Sequence, residues 1–148
     1  CYTDTRASEP GLSICVDAAS EAAALRAAGE ADAAAAFALR CADELTRLTS
    51  RDDRPNKGRL LELARLQLHQ LGDPASASKT LERAGLGCGG TEHWTHWRLL
   101  RVEALLAQGE QAEAKRVIAE IRDRYVLTPL LRAQLAPLEA RLTPPGQG

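Results

Sequence analysis

The stretch CGGTEHWTHW brings together Cys88, His93 and His96, a thiol and two imidazoles. By type these are ligands for zinc or haem iron, because thiolate sulfur and imidazole nitrogen both bind transition metals well. Their spacing, Cys-x4-His-x2-His, is not a common zinc spacing, and a structural zinc site takes four ligands. On a helix, His93 and His96 share a face, with Thr91 as its N-cap and Glu92 in the first turn. The competing expectation packs Trp94 and Trp97 against a neighbouring hairpin and leaves the histidines at its wet edge. Cys88 near a histidine also imitates a thiol–imidazole pair, but the pattern holds no orienting Asn and no supporting sheet. There is no G-x-S-x-G elbow, and GLGCGGT lacks the Lys and the preceding strand of a phosphate-binding loop. Carboxylates fall at helix-surface spacing, which is a solvated face. The residues therefore predict a non-enzyme with no catalytic residues and no cofactor, Cys88, His93 and His96 being the candidates if a metal is held at all.

The elements that carry these residues read as helices. The chain has 148 residues, 45% hydrophobic and 26% charged, with 3% aromatics and no Met. That suits one globular domain. Alanine and leucine dominate, and both are strong helix formers because they lose little side-chain entropy. A formal net charge of −1 gives no field to attract nucleic acid or anionic lipid. No apolar run approaches the roughly 20 residues a membrane-spanning helix needs.

One motif occurs three times: LRAAGEADAA from Leu25, LHQLGDPASA from Leu68 and LLAQGEQAEA from Leu105. All obey L-x-x-x-G-[DE]-x-x-x-A, with the glycines at 29, 72 and 109, spaced 43 and 37 residues apart. The Leu is expected to face the core one turn before a helix ends. The Gly follows, where positive φ is required. The acidic residue caps the next helix, and the Ala marks a close helix crossing. Flanking stripes agree: Phe37, Cys41, Leu45 and Leu48; then Leu61, Ala64 and Leu68; then Ala114, Val117, Ile118 and Ile121. A last helical pattern, Leu130 to Leu142, contains Pro137, which is expected to kink it. Its Arg132 and Arg141 suit a capping helix with one wet face. The polar segment 49–58 and the glycine-rich 85–90 fall between hairpins.

This pattern resembles tetratricopeptide repeats over about Leu12 to Tyr125. The second unit matches best, at Leu61, Ala64, Leu68, Gly72, Ala77, Leu81 and Ala84. Arg101 and Cys41 depart from the family's small-residue preference, and the spacings exceed the usual period of about 34. The resemblance implies an all-α fold of three stacked antiparallel hairpins, a solenoid of this kind, plus the capping helix. It also implies a partner-docking scaffold rather than an enzyme. The first helix of each hairpin would line a groove with Arg59, Glu62, Leu66 and His69, then His96, Leu99, Glu103 and Leu106.

The cysteines bear on location. Cys15 lies fourteen residues before Gly29 and Cys41 twelve after it, at similar height in an antiparallel pair. A disulfide between them fits the roughly 7 Å Cα limit and would stabilise an alanine-rich hairpin by about 3 kcal/mol, provided the compartment is oxidising. Cys1 at the head of CYTDTRASEP matches a bacterial lipoprotein, whose first mature residue is an acylated cysteine. On that expectation 1–10 is a tether, 11–142 a single repeat domain and 143–148 a flexible tail. The chain would be lipid-anchored at the outer membrane, facing the periplasm, and would dock the subunits of an envelope complex with no nucleic acid and no small-molecule substrate. In general plan it resembles small repeat lipoproteins that help pilus secretins or outer-membrane barrels assemble. The alternatives are a cytoplasmic, unlipidated accessory subunit of a larger complex, and a metal- or haem-associated protein.

Overall fold

A computed structural model of the chain describes residues 15–51, 56–85 and 91–142. Cys1, Cys88, the expected tether and the expected tail lie outside the described residues, as do the side chains of His93 and Trp94. All regular structure among the described residues is helical: α1 (Ala18–Ala27), α2 (Ala31–Ser50), α3 (Lys57–Arg65) continued by a π-helical segment (Leu66–Gln70), α4 (Pro74–Ala84), α5 (Thr91–Ala107), α6 (Gln111–Arg124) and α7 (Pro129–Ala140). The chain divides into two compact units, Cys1–Gly89 and Gly90–Gly148. In the first, α1 pairs with α2 and α3 with α4; in the second, α5 pairs with α6 and also touches α7.

The three motif turns fall where the sequence puts them. Gly29, Gly72 and Gly109 have φ of +82°, +62° and +78°. A Cβ at any of them would meet nothing within 4 Å, so glycine is needed for the dihedral and not for space. At the first turn the Glu30 N–H donates to Leu25 O at 2.9 Å and the Gly29 N–H to Arg26 O at 3.1 Å. The third repeats this, Glu110 to Leu105 and Gly109 to Leu106, at the same distances. Both are Schellman closures, which satisfy the last carbonyls of the helix.

The second turn is built differently. There the Leu71 N–H reaches back to Leu66 O and the Asp73 N–H to Gln67 O, so the helix widens into its π segment before it ends. The motif alanines behave alike throughout. Ala34, Ala77 and Ala114 are wholly buried, and each donates its N–H to the carbonyl of the acidic residue before its helix.

Two expectations need correction. The acidic residue caps only once: Asp73 accepts from the Ser76 N–H at 3.1 Å, whereas neither Glu30 nor Glu110 makes a side-chain cap. Asp is the favoured capping carboxylate because its short arm folds back onto the first turn. The motif leucines are half-buried: Leu105 packs against the second core, while Leu25 and Leu68 do not join the buried cluster of the first. The helix α7 continues through Pro137 to Ala140. The carbonyl deprived of a donor is that of Ala133, and both residues lie on the exposed face, where water can serve instead.

Each unit has its own core. In the first, Cys15, Ala18 and Ala22 from the α1 region meet Ala38, Cys41, Ala42, Leu45 and Leu48 of α2 and Leu63 and Leu66 beyond. In the second, Leu99, Val102 and Leu106 of α5 meet Val117, Ile118 and Ile121 of α6 and Leu131, Leu135 and Leu138 of α7.

Candidate docking surface

The α3 stripe expected to line a groove is largely covered. Arg59 is half-buried and His69 exposed, but Glu62 and Leu66 between them are buried. Leu66 belongs to the first core. One oxygen of Glu62 accepts the Ala19 backbone N–H at 2.8 Å, and the other accepts from Arg65 at 3.2 Å. Ala19 lies in the first turn of α1, where Asp17, the residue before the helix, makes no side-chain cap. Glu62 thus caps α1 from another helix, its charge suited to that end of the dipole. The α5 positions divide in the same way: Leu99 and Leu106 lie in the second core, while His96 and Glu103 are half-buried. A stripe at helical spacing marks one face, but it does not say whether that face meets solvent or a neighbouring helix.

Cys15 and Cys41 are joined by a disulfide, with their Cα atoms 5.5 Å apart, as their heights on the first hairpin predict. Both residues are buried.

The second unit carries a chain of charges. Arg98, only 2% exposed, donates to Glu120 at 2.6 Å, and Arg116 pairs with both Glu120 and Glu113. Arg101 reaches Glu113 at 3.5 Å. The guanidinium groups of Arg98 and Arg101 lie 5.9 and 5.5 Å from the centre of the Trp97 ring, within cation–π range. The hydrogen bond from Arg98, together with the Arg116 charge, holds Glu120 below the ordinary glutamate range. The hydrogen bond from Arg116 does the same for Glu113. In the first unit, the Ser76 hydroxyl and backbone N–H lower Asp73.

Among the described residues, no three or more His, Cys, Asp or Glu side chains are grouped so as to hold a metal ion. None of the described helices is long and apolar enough to cross a membrane.

Two features have no clear mark in the sequence. Lys57 Nζ donates to the Ala84 carbonyl at the end of α4, and Arg83 donates to the Thr49 carbonyl near the end of α2 at 2.8 Å. Both put a cation on a helix C-terminus, where the dipole favours it. The other feature is apolar exposure at and just before α7. Val126, ahead of the helix, is 86% exposed and Leu130 69%, and Ala133, Pro137 and Ala140 continue the Leu130 stripe on the solvent side. The i, i+3, i+7, i+10 spacing from Leu130 is visible in the sequence, but the buried stripe Leu131, Leu135 and Leu138 runs beside it and masks it.

No family model, curated protein or solved structure matches the chain.

Proposed function

We propose that the protein is a non-catalytic helical scaffold that docks protein partners in a bacterial envelope complex, in an oxidising compartment outside the cytoplasm. The observation that carries this reading is the Cys15–Cys41 disulfide within a chain built from helical hairpins. Disulfides persist in oxidising, extracytoplasmic compartments, and hairpins of this kind present extended helical faces to other proteins. The exposed Val126 and Leu130 favour a protein partner over a small polar ligand.

The test has two arms. Peptide mapping of the native protein without reduction is expected to find Cys15 joined to Cys41, and free thiols at both overturn the oxidising location. Cross-linking in intact cells, followed by affinity capture, is expected to return a defined set of envelope subunits. Recovery of cytosolic partners, with Cys15 and Cys41 as free thiols, would support the cytoplasmic accessory subunit instead.

A further inference from the structure

We propose that the Cys15–Cys41 disulfide is a redox latch that holds α1 shut over an apolar floor formed by α2 and α3. The attachment of α1 to its neighbours is made by small side chains. Its ten residues bury only Ala18 and Ala22 completely, and Cys15 lies just before them. The surface beneath is larger and more apolar: Leu45 from α2, and Leu63 and Leu66 from α3 and its π segment. Two polar ties cross this seam, Glu62 to the Ala19 N–H and an exposed Arg26–Gln70 hydrogen bond of 3.2 Å. The Gly29 turn fastens the C-terminal end of α1 to α2, and the disulfide fastens its N-terminal end.

Cutting the bridge leaves a helix of ten residues tethered at one end and held by the buried Ala18 and Ala22, the half-buried Ala19 and Leu25, and two hydrogen bonds. A helix shorter than about 12 residues is not stable in water without packing. The freed segment therefore unwinds and uncovers Leu45, Leu63, Leu66 and the Glu62 carboxylate.

The chemistry is thiol–disulfide exchange with a dithiol reductant. One reductant thiolate attacks a sulfur of the bridge and the other cysteine leaves as a thiolate. The second thiol of the reductant then resolves the mixed disulfide. Cys15 and Cys41 end as two thiols and the reductant as its own disulfide, so two electrons and two protons pass to the protein. Both cysteines are buried, so attack follows a local opening of α1 and then makes that opening permanent.

Amide hydrogen exchange on the full chain, oxidised and then reduced under native conditions, tests the latch. On reduction, the amides of α1 are expected to lose protection by on the order of 100-fold, the scale of the loop-closure entropy released. Those of α3, α4 and α6 should keep theirs. In the reduced protein, iodoacetamide should modify Cys15 and Cys41 at close to the rate of an unfolded peptide, as read by peptide mapping. Undiminished protection of α1, with slow alkylation, overturns the proposal. So does simultaneous loss of protection across α1 to α4, because the bridge would then staple the whole unit. The C15A/C41A variant, which fills the core with methyl groups, repeats the exchange measurement without thiols. Its α1 should be as open as in the reduced protein, and a closed α1 there counts against the latch.

Discussion

The seam between α1 and α2 and the core formed by α5, α6 and α7 unite neighbouring helices with different materials. Along the first, the α1 side offers Cys15, Ala18 and Ala22, and α2 answers with Ala38, Cys41 and Ala42 before its first buried leucine, Leu45. In the second, every contributing helix brings branched side chains: Val102, Val117, Ile118, Ile121 and three leucines of α7. Each buried CH₂ is worth about 0.8 kcal/mol, so an alanine seam gathers far less than an isoleucine one. The first seam makes up the difference with a covalent bridge and a cap from Glu62. The second adds the Arg98–Glu120 pair and the charges around it. What holds a hairpin shut is thus not visible from its outline: two pairs closed by the same Schellman turn depend on different forces.

The sharpest way to break this comparison is to truncate the second core. Ile121→Ala, at a fully buried site, should cost about 3–4 kcal/mol in denaturant unfolding followed by hydrogen exchange in α6. Ala22→Gly in α1 should cost only about 1 kcal/mol. Equal losses would mean that the two seams are not different in kind. Next comes C15A/C41A, expected to destabilise α1 against local opening by about 3 kcal/mol while leaving exchange in α3, α4 and α6 unchanged.

Smaller effects test the charges. Glu120→Gln leaves the buried Arg98 facing a neutral acceptor and should cost about 1–2 kcal/mol. Glu113 and Glu120 both titrate below their ordinary value of 4.5. Their contribution is therefore complete above pH 4.5 and is lost as the pH falls from there through their folded values. A melting temperature that stays flat from pH 6 to pH 3 (roughly the span in which carboxylates titrate) would remove these pairs from the account. At the turns, Gly29→Ala and Gly109→Ala should each cost about 1–2 kcal/mol, measured by chemical denaturation. Least of all, Asp73→Ala should cost about 1 kcal/mol as a lost cap, against a few tenths for Glu30→Ala and Glu110→Ala. Equal losses at all three would show that the glutamates act as caps after all.

Much of this was legible in the residues. Gly29, Gly72 and Gly109 announced their turns because a positive φ leaves few alternatives to glycine. Ala34, Ala77 and Ala114 announced buried positions, and the placing of Cys15 and Cys41 about Gly29 announced the bridge. Arg59, Glu62, Leu66 and His69 were expected to line a groove; of these Glu62 and Leu66 are covered, since periodicity selects a face without selecting its neighbour. The caps from Lys57 and Arg83 were also hidden, because a long cation at the surface has many possible acceptors and only the fold chooses one.

By itself, then, the sequence determined what depends on local geometry: helices where Ala and Leu recur, turns where only Gly tolerates the backbone, and a hairpin that places two cysteines at one height. Tertiary structure decided what depends on which helix comes to rest on which. It turned Glu62 from a groove residue into the cap of α1, widened the end of α3 into a π turn, and left Val126 and Leu130 facing solvent. Local dihedral preferences act within a few residues and can be read along the chain. Burial is a property of the assembled surface, and no single segment carries it.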